Sequence, residues 1–250
     1  MAQKDGVTQF QDHFSTRAAE YAHYRPHYPP ELFAWLAGQT SQHRLALDCA
    51  TGNGQAAIAL AGHYARVVAT DASSGQLRHA ARVPAVEYRQ ALAHESGLAA
   101  GTVDLVTVAQ ALHWIDRPLF YGEARRVLAA GGVVAVWCYS LMRCDAAIDE
   151  LVDTFYHDTV GSYWPPERRH TEDGYRSLEF PFAEFPAPAF EMRAVMTVED
   201  LAGYLGTWSA TARYRDARGQ DPVPALIGAV RAWWGERREV RWPLWLRVGR

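Results

Sequence analysis

The residues with the most chemistry to offer lie at positions 46 to 55, read as ALDCATGNGQ. A short apolar run carries the carboxylate of Asp48 into a turn built on Gly52 and Gly54. Glycines at such a turn let the backbone pass close beneath a ligand. GNGQAA (52–57) satisfies the dinucleotide fingerprint G-x-G-x-x-G/A, and Asp71 ends the next apolar run roughly 20 residues on, where a carboxylate accepts from ribose hydroxyls. Those features alone fit a nicotinamide-dependent oxidoreductase. Asp48 argues against it, because a carboxylate beside the loop would repel a doubly negative pyrophosphate.

A ligand carrying an ammonium and a sulfonium, as S-adenosylmethionine does, reverses that sign. Asp48 would steer its cationic end directly or through water, and at about 4 Å such an attraction is worth about 1 kcal/mol or more. A bland alternative makes Asp48 a turn cap and the glycines mere turn formers. The strand, acid, glycines, helix and second acid arriving in order weigh against it.

The elements that must position these residues alternate. Strands are expected at 45–49, 66–71, 85–89, 103–109 and 132–139, with helices at 55–64, 74–83 and 117–132. Asp116 is placed to cap the last helix, Pro118 suits its first turn, and Gly131-Gly132 are expected to end it. Strand–helix alternation with near-continuous apolar strands implies an α/β fold with a mostly parallel sheet covered on both faces. Ligands in such sheets bind outside the carboxyl ends of the strands. AFEMRAVMTV (189–198) and EVRWPLWLRVGR (239–250) read as two late strands that complete seven, giving a Rossmann-like sheet. Residues 1–40 form an N-terminal helical cap, 41–140 the nucleotide-binding core, and 141–250 a helical lid region that adds the last strands.

Composition removes several classes. Lys4 is the only lysine among 25 basic residues, which excludes a Walker-type phosphate loop and Schiff-base chemistry. Three cysteines, Cys49, Cys138 and Cys144, show no metal spacing or pairing pattern and suit a reducing cytoplasm. No metal site is expected. A net charge of −3 gives no drive toward nucleic acid, and no apolar run is long enough to span a bilayer.

The stretch 45–139 resembles the class I S-adenosylmethionine-dependent methyltransferases. LDCATGNG is similar to their D-x-G-x-G-x-G loop, VVATDAS to their ribose-binding strand end, and RRVLAAGGVVAV to their run into strand five. YRPHYP (24–29), VDLVTVAQALHWID (103–116), TWSATARY (207–214) and WPLWLRVGR (242–250) resemble the small-molecule group that includes trans-aconitate methyltransferase. The chain departs at Ala50, where the family expects its first glycine and where alanine disfavours positive φ.

The resemblance implies a cofactor site of Asp48, Ala50, Thr51, Gly52, Gly54, Asp71 and Ala72. Leu92, Ala93 and His94 fall at its adenine pocket, with backbone at 93 and 94 facing the adenine edge and Leu92 in place of the usual acid. Ala109 would pack beneath the sulfonium, and Gln110 would bond the methionine carboxylate or ammonium. His113 is a general base or a positioning donor for the acceptor; its alternative is to orient the following helix. Tyr21, Tyr24 and Tyr28 around Arg25 either close over the ligand, with Arg25 recognising a carboxylate, or fix a surface turn. Arg168, Arg169 and His170 form a further basic spot, more typical of a solvated helix face. The reading is methyl transfer to a small molecule, on a carboxylate or hydroxyl oxygen. The alternatives are the oxidoreductase and a non-catalytic binder of S-adenosylmethionine.

Overall fold

The structure, a computed structural model, describes residues 24–250. Tyr21 and most of the expected N-terminal cap lie outside the described residues. Among the described residues the first helix is α1 (Pro30–Gly38), which buries Leu32, Phe33 and Leu36. Alternation then follows as β1 (Leu45–Cys49), α2 (Gln55–Leu60), β2 (Arg66–Asp71), α3 (Ser74–Arg78), β3 (Val86–Gln90), β4 (Val103–Ala109), α4 (Arg117–Val127) and β5 (Leu128–Tyr139). The second half contributes α5 (Ala146–Thr154), a π-helical turn at Phe155–Thr159, α6 (Arg169–Glu172), β6 (Phe190–Met196), α7 (Val198–Gly206), α8 (Ser209–Arg218), α9 (Val223–Trp234) and β7 (Arg238–Gly249).

Seven strands form one sheet in the order β3-β2-β1-β4-β5-β7-β6. The first five run parallel, while β7 is antiparallel to both β5 and β6. The order reverses between β1 and β4, so the loops leaving these two strands diverge and open a crevice at the carboxyl edge. Both faces are covered, as period-two alternation along β5 shows. Ala135, Trp137 and Tyr139 enter a core with α1, α5, α7 and α9, while Val134, Val136 and Cys138 enter a second core with α4 and residues near 175–180. A strand buried on both faces is apolar almost throughout, and LALDC is buried at every position, its one acid, Asp48, included.

At the opposite edge Asp104 rivets β4 to β1. Its carboxylate accepts the backbone N–H groups of Arg44 (2.8 Å) and Leu45 (3.2 Å) and the Arg44 guanidinium (2.7 Å). Burial alone would raise this carboxyl, but the Arg44 guanidinium and the two N–H groups outweigh it and hold it below the usual range.

Three local expectations need correction. Gly131-Gly132 do not end α4; it stops at Val127, because Leu128 turns extended and pairs with Val103. The pairing then jumps to Leu105 with Val133, a bulge in which Gly131 takes φ +76° and a β-carbon on Gly132 would crowd the Val103 carbonyl at 3.1 Å. Helices α2 and α3 are shorter than their apolar patterns, and β3 is Val86–Gln90 rather than 85–89. Asp116 does cap α4, accepting from the Leu119 N–H at 3.2 Å. The three cysteines are unpaired. Among the described residues no helix is long and apolar enough to cross a membrane.

Asp104→Asn should lower stability at pH 7 by about 1–3 kcal/mol, since buried donors lose their charged acceptor. Asp104 contributes fully above the unfolded carboxyl value near 4 and progressively less as pH falls through its lowered folded value. Urea midpoints measured from pH 3 to 7 should therefore converge for the two proteins at the acidic end.

Candidate active site at the carboxyl edge of the sheet

The loop after β1 is held by two carboxylates. Asp48 lies beneath it with no exposed surface and accepts hydroxyl bonds from Thr51 (2.5 Å) and from Thr107 of β4 (2.7 Å). Burial pushes its carboxyl up to about 6; Thr51, Thr107 and the Ala57 N–H pull it down, while the neighbouring charge of Asp71 adds to the rise. Steering of a cationic ligand by Asp48, directly or through water, is the expectation from sequence; in the structure each of its oxygens accepts a hydroxyl bond, and these bonds fix the loop across the switch point.

Asp71 braces the same loop from β2. One oxygen accepts the Gly52 N–H (2.8 Å) and the other the Ser73 N–H (2.8 Å), so the carboxylate is set in one orientation at the crevice. The Thr51 N–H reaches back to the Thr70 carbonyl at 2.9 Å. These bonds impose left-handed backbone at Ala50 (φ +53°), Gly52 (+58°) and Gly54 (+88°). Ala50 thus takes the positive φ that its β-carbon disfavours, because the flanking bonds outweigh a cost of about 1–2 kcal/mol. The two glycines differ in purpose. A β-carbon on Gly52 would meet only Gln76 Oε1 at 3.9 Å, leaving that backbone approachable, whereas one on Gly54 would collide with the Tyr88 ring.

Beyond β2, the Ala72 carbonyl accepts from Gln90 Nε2 at 3.1 Å. After β3, Leu92 is 41% exposed, an apolar side chain presented at the crevice. The Ala93 carbonyl accepts from the Cys49 thiol at 3.8 Å, and His94 lies 4.0 Å from Glu95. Ala109, the last residue of β4, is half-buried opposite Trp137. Gln110 takes φ +56° and clasps the Tyr139 backbone: its Nε2 donates to Tyr139 O (3.0 Å) and its Oε1 accepts from Tyr139 N (2.8 Å). Each end of the amide thus makes one bond at the β4–β5 junction, and its second N–H and second lone pair are what the expected bond to a methionine group would use.

His113 is buried, with Nδ1 2.9 Å from the Tyr175 hydroxyl. Burial first, then the charges of Arg168, His170 and Arg117, push its imidazole down to about 3. A base with so low a value is poorly matched to proton abstraction near neutral pH, which corrects the general-base expectation. Burial pushes the Tyr175 phenol well up, so this pair is a neutral hydrogen-bonded unit.

The Tyr24–Tyr28 segment crosses from β5 to the α7–α8 junction. The Arg25 guanidinium donates to the Tyr139 hydroxyl (3.0 Å) and to Thr207 Oγ1 (3.1 Å), and lies 5.3 Å above the Tyr204 ring. It straps two elements together, in keeping with the structural one of the two roles expected for this segment. The Tyr24 ring lies where a β-carbon on Gly203 would be. Tyr28 packs edge-on to Trp137 at 5.5 Å. Thr107, Ser73, Tyr139, Tyr175 and Thr207 went unsingled in the sequence. Strand alternation places Tyr139 with Trp137 and Thr107 beside Asp48, but nothing local marks Tyr175.

Residues 47–136 match the model of a methyltransferase domain. A methyltransferase-family protein of Dictyostelium discoideum is 34% identical over 223 residues, 88% of this chain and 85% of the relative. A solved structure from Anaeromyxobacter dehalogenans, described as a type II methyltransferase, is 43% identical with TM-score 0.86, covering 90% of this chain and 97% of the other. The chain is a class I S-adenosylmethionine-dependent methyltransferase. An uncharacterised methyltransferase of Mycobacterium tuberculosis is a partial match, 35% identical over 126 residues, about half of each chain. Family membership sets aside the oxidoreductase reading. In this methyltransferase the crevice also fits the donor: an oriented carboxylate at Asp71, open backbone at Gly52 and an exposed apolar plate at Leu92 suit a ribose, a linker and a purine.

Gly54→Ala should cost the methyltransferase about 1–3 kcal/mol from the disfavoured φ alone, with the Tyr88 collision added. In thermal melts, Gly54→Ala combined with Tyr88→Ala should lie above the sum of the two single losses. Strict additivity would show that the ring does not meet this position.

Proposed function

We propose that this methyltransferase transfers the methyl group of S-adenosylmethionine to an oxygen of a small molecule, and that a carboxylate is the favoured acceptor over a hydroxyl. Asp71 receives the ribose hydroxyls, Gly52 and its neighbours Ala50 and Thr51 pass beneath the methionine linker, and Leu92 with the backbone of Ala93 and His94 frames the purine. Ala109 underlies the sulfonium. An acceptor oxygen lone pair forms the O–CH3 bond as the S–CH3 bond breaks, and that electron pair returns to sulfur as the neutral thioether S-adenosylhomocysteine. The sulfonium is already a good leaving group, so the protein supplies alignment and excludes water.

The observation that carries the acceptor class is the state of His113. It is buried, bonded to Tyr175 and pushed down to about 3, so it is a weak proton acceptor at physiological pH. A carboxylate needs no proton withdrawn. This also explains how the site can work with arginine as nearly its sole cation: nothing in the transfer requires a titrating amine.

Turnover to S-adenosylhomocysteine across paired small acids and phenols tests the reading. Methylation of acids should exceed that of phenols; no turnover with any acceptor would favour the non-catalytic binder. Because His113 protonates only near pH 3, log kcat/KM should show no inflection attributable to it between pH 5 and 9. His113→Gln should lower kcat by less than about tenfold in a protein that still melts cooperatively, against the 10²–10⁴ expected for loss of a general base. Asp71→Asn should weaken S-adenosylhomocysteine binding by roughly 10–100-fold in calorimetry, the loss of a charge-assisted acceptor. An unchanged affinity would remove Asp71 from the donor site.

A further inference from the structure

Several arginines are paired: Arg44, Arg126, Arg143, Arg215, Arg238 and Arg247 each reach a carboxylate. Arg168 does not. It ends the short 3-10 turn Pro166–Arg168, half-buried, and among the described residues no carboxylate lies within ion-pairing distance of it. Its guanidinium carbon lies 5.0 Å above the Trp164 ring and 5.9 Å from the Tyr156 ring centre. Nε donates to the Tyr156 hydroxyl at 3.2 Å, and that hydroxyl donates in turn to Glu172 at 2.5 Å.

That arrangement fixes one edge of the guanidinium and leaves its forked edge as the recognition surface. The segment carrying Arg168 sits at the carboxyl end of β5, where the Thr171 carbonyl accepts from the Cys138 thiol at 3.9 Å and the Tyr175 hydroxyl lies 2.9 Å from His113 Nδ1. The positive charge of Arg168 is felt at His113, Cys138, Tyr156, Tyr175 and Tyr204, all of them buried. At His113 the other charges felt are those of Arg117 and His170, also positive. Glu167 and Asp173, acids of the same segment, act on His170, and Asp173 also on Cys138, while Glu172 is taken by Tyr156. Trp114, 36% exposed and 4.7 Å from the His113 ring, adds an aromatic wall. The side of the insertion that faces His113 is therefore cationic and aromatic.

We propose that Arg168, laid over Trp164 and Tyr156 without a carboxylate of its own, recognises the anionic end of the acceptor, which is a small carboxylic acid with an aromatic or apolar body. The proposal rests on the methyl-transfer reading above and names the residue that selects the substrate. A planar fork suits a carboxylate in two parallel bonds, and the flanking rings keep the fork in plane and partly dry. Lysine would offer a point charge without that geometry.

The test uses the full protein loaded with S-adenosylhomocysteine and a panel of acids paired with their neutral amides: benzoate with benzamide, trans-cinnamate with cinnamamide, indole-3-acetate with its amide. Calorimetry should find at least one acid bound about tenfold or more tighter than its amide. Arg168→Gln should abolish that preference, Arg168→Lys should restore it only in part, and both should bind S-adenosylhomocysteine within about twofold of the parent, which also certifies their fold. A preference that survives in Arg168→Gln, or a panel in which no acid outbinds its amide, overturns the assignment of Arg168 while leaving methyl transfer standing. Failure of the parent protein to bind S-adenosylhomocysteine overturns both.

Discussion

Two buried carboxylates holding one loop from different sides are the constraint on which the site depends. Asp48 pulls the turn down through Thr51 and across to β4 through Thr107, while Asp71 pulls it sideways through Gly52. Buried acids are tolerable only when hydrogen-bonded, and here each acid spends one of its bonds on a loop residue, Thr51 or Gly52. The two charges repel, which helps to raise the Asp48 carboxyl. The loop therefore owes its left-handed residues to long-range electrostatics, and even an alanine at position 50 is carried into that conformation.

The acceptor side follows a different logic. Hydrogen bonds between separated segments assemble its wall. Gln110 replaces strand backbone with its own amide at the β4–β5 junction, Tyr139 anchors the Arg25 strap, and Thr207 ties that strap to the second half of the chain. The donor loop comes from residues close in sequence; the acceptor wall comes from four separated segments. One half of the site is thus a local motif, and the other exists only once the fold is complete.

That difference sets what could be read from the amino acids. The parallel sheet, the two late strands and the Asp116 cap were legible because they rest on apolar periodicity and on one side chain bonding three residues ahead. The glycine loop was legible as a ligand loop because its spacing is local. The direction in which Asp48 points was not, since it depends on Thr107, 59 residues away. The same holds for Gln110 and His113: their types permitted chemistry, but their partners, Tyr139 and Tyr175, arrive by topology. The early end of α4 escaped notice because pairing of Leu128 with Val103 overrides a helix-compatible run.

The place of β7 in the sheet has a consequence for how the molecule is made. It is the latest strand in sequence, yet it slots between β5 and β6, and Arg247 on it holds the carbonyls of Tyr175 and Leu178 and the carboxylate of Glu184. During synthesis the five parallel strands and the glycine loop can assemble while the rest is still being translated. Strand β6 then waits without a neighbour, its edge open, until β7 has been made. Donor recognition can therefore ripen early on the nascent chain, whereas the wall that admits an acceptor closes last.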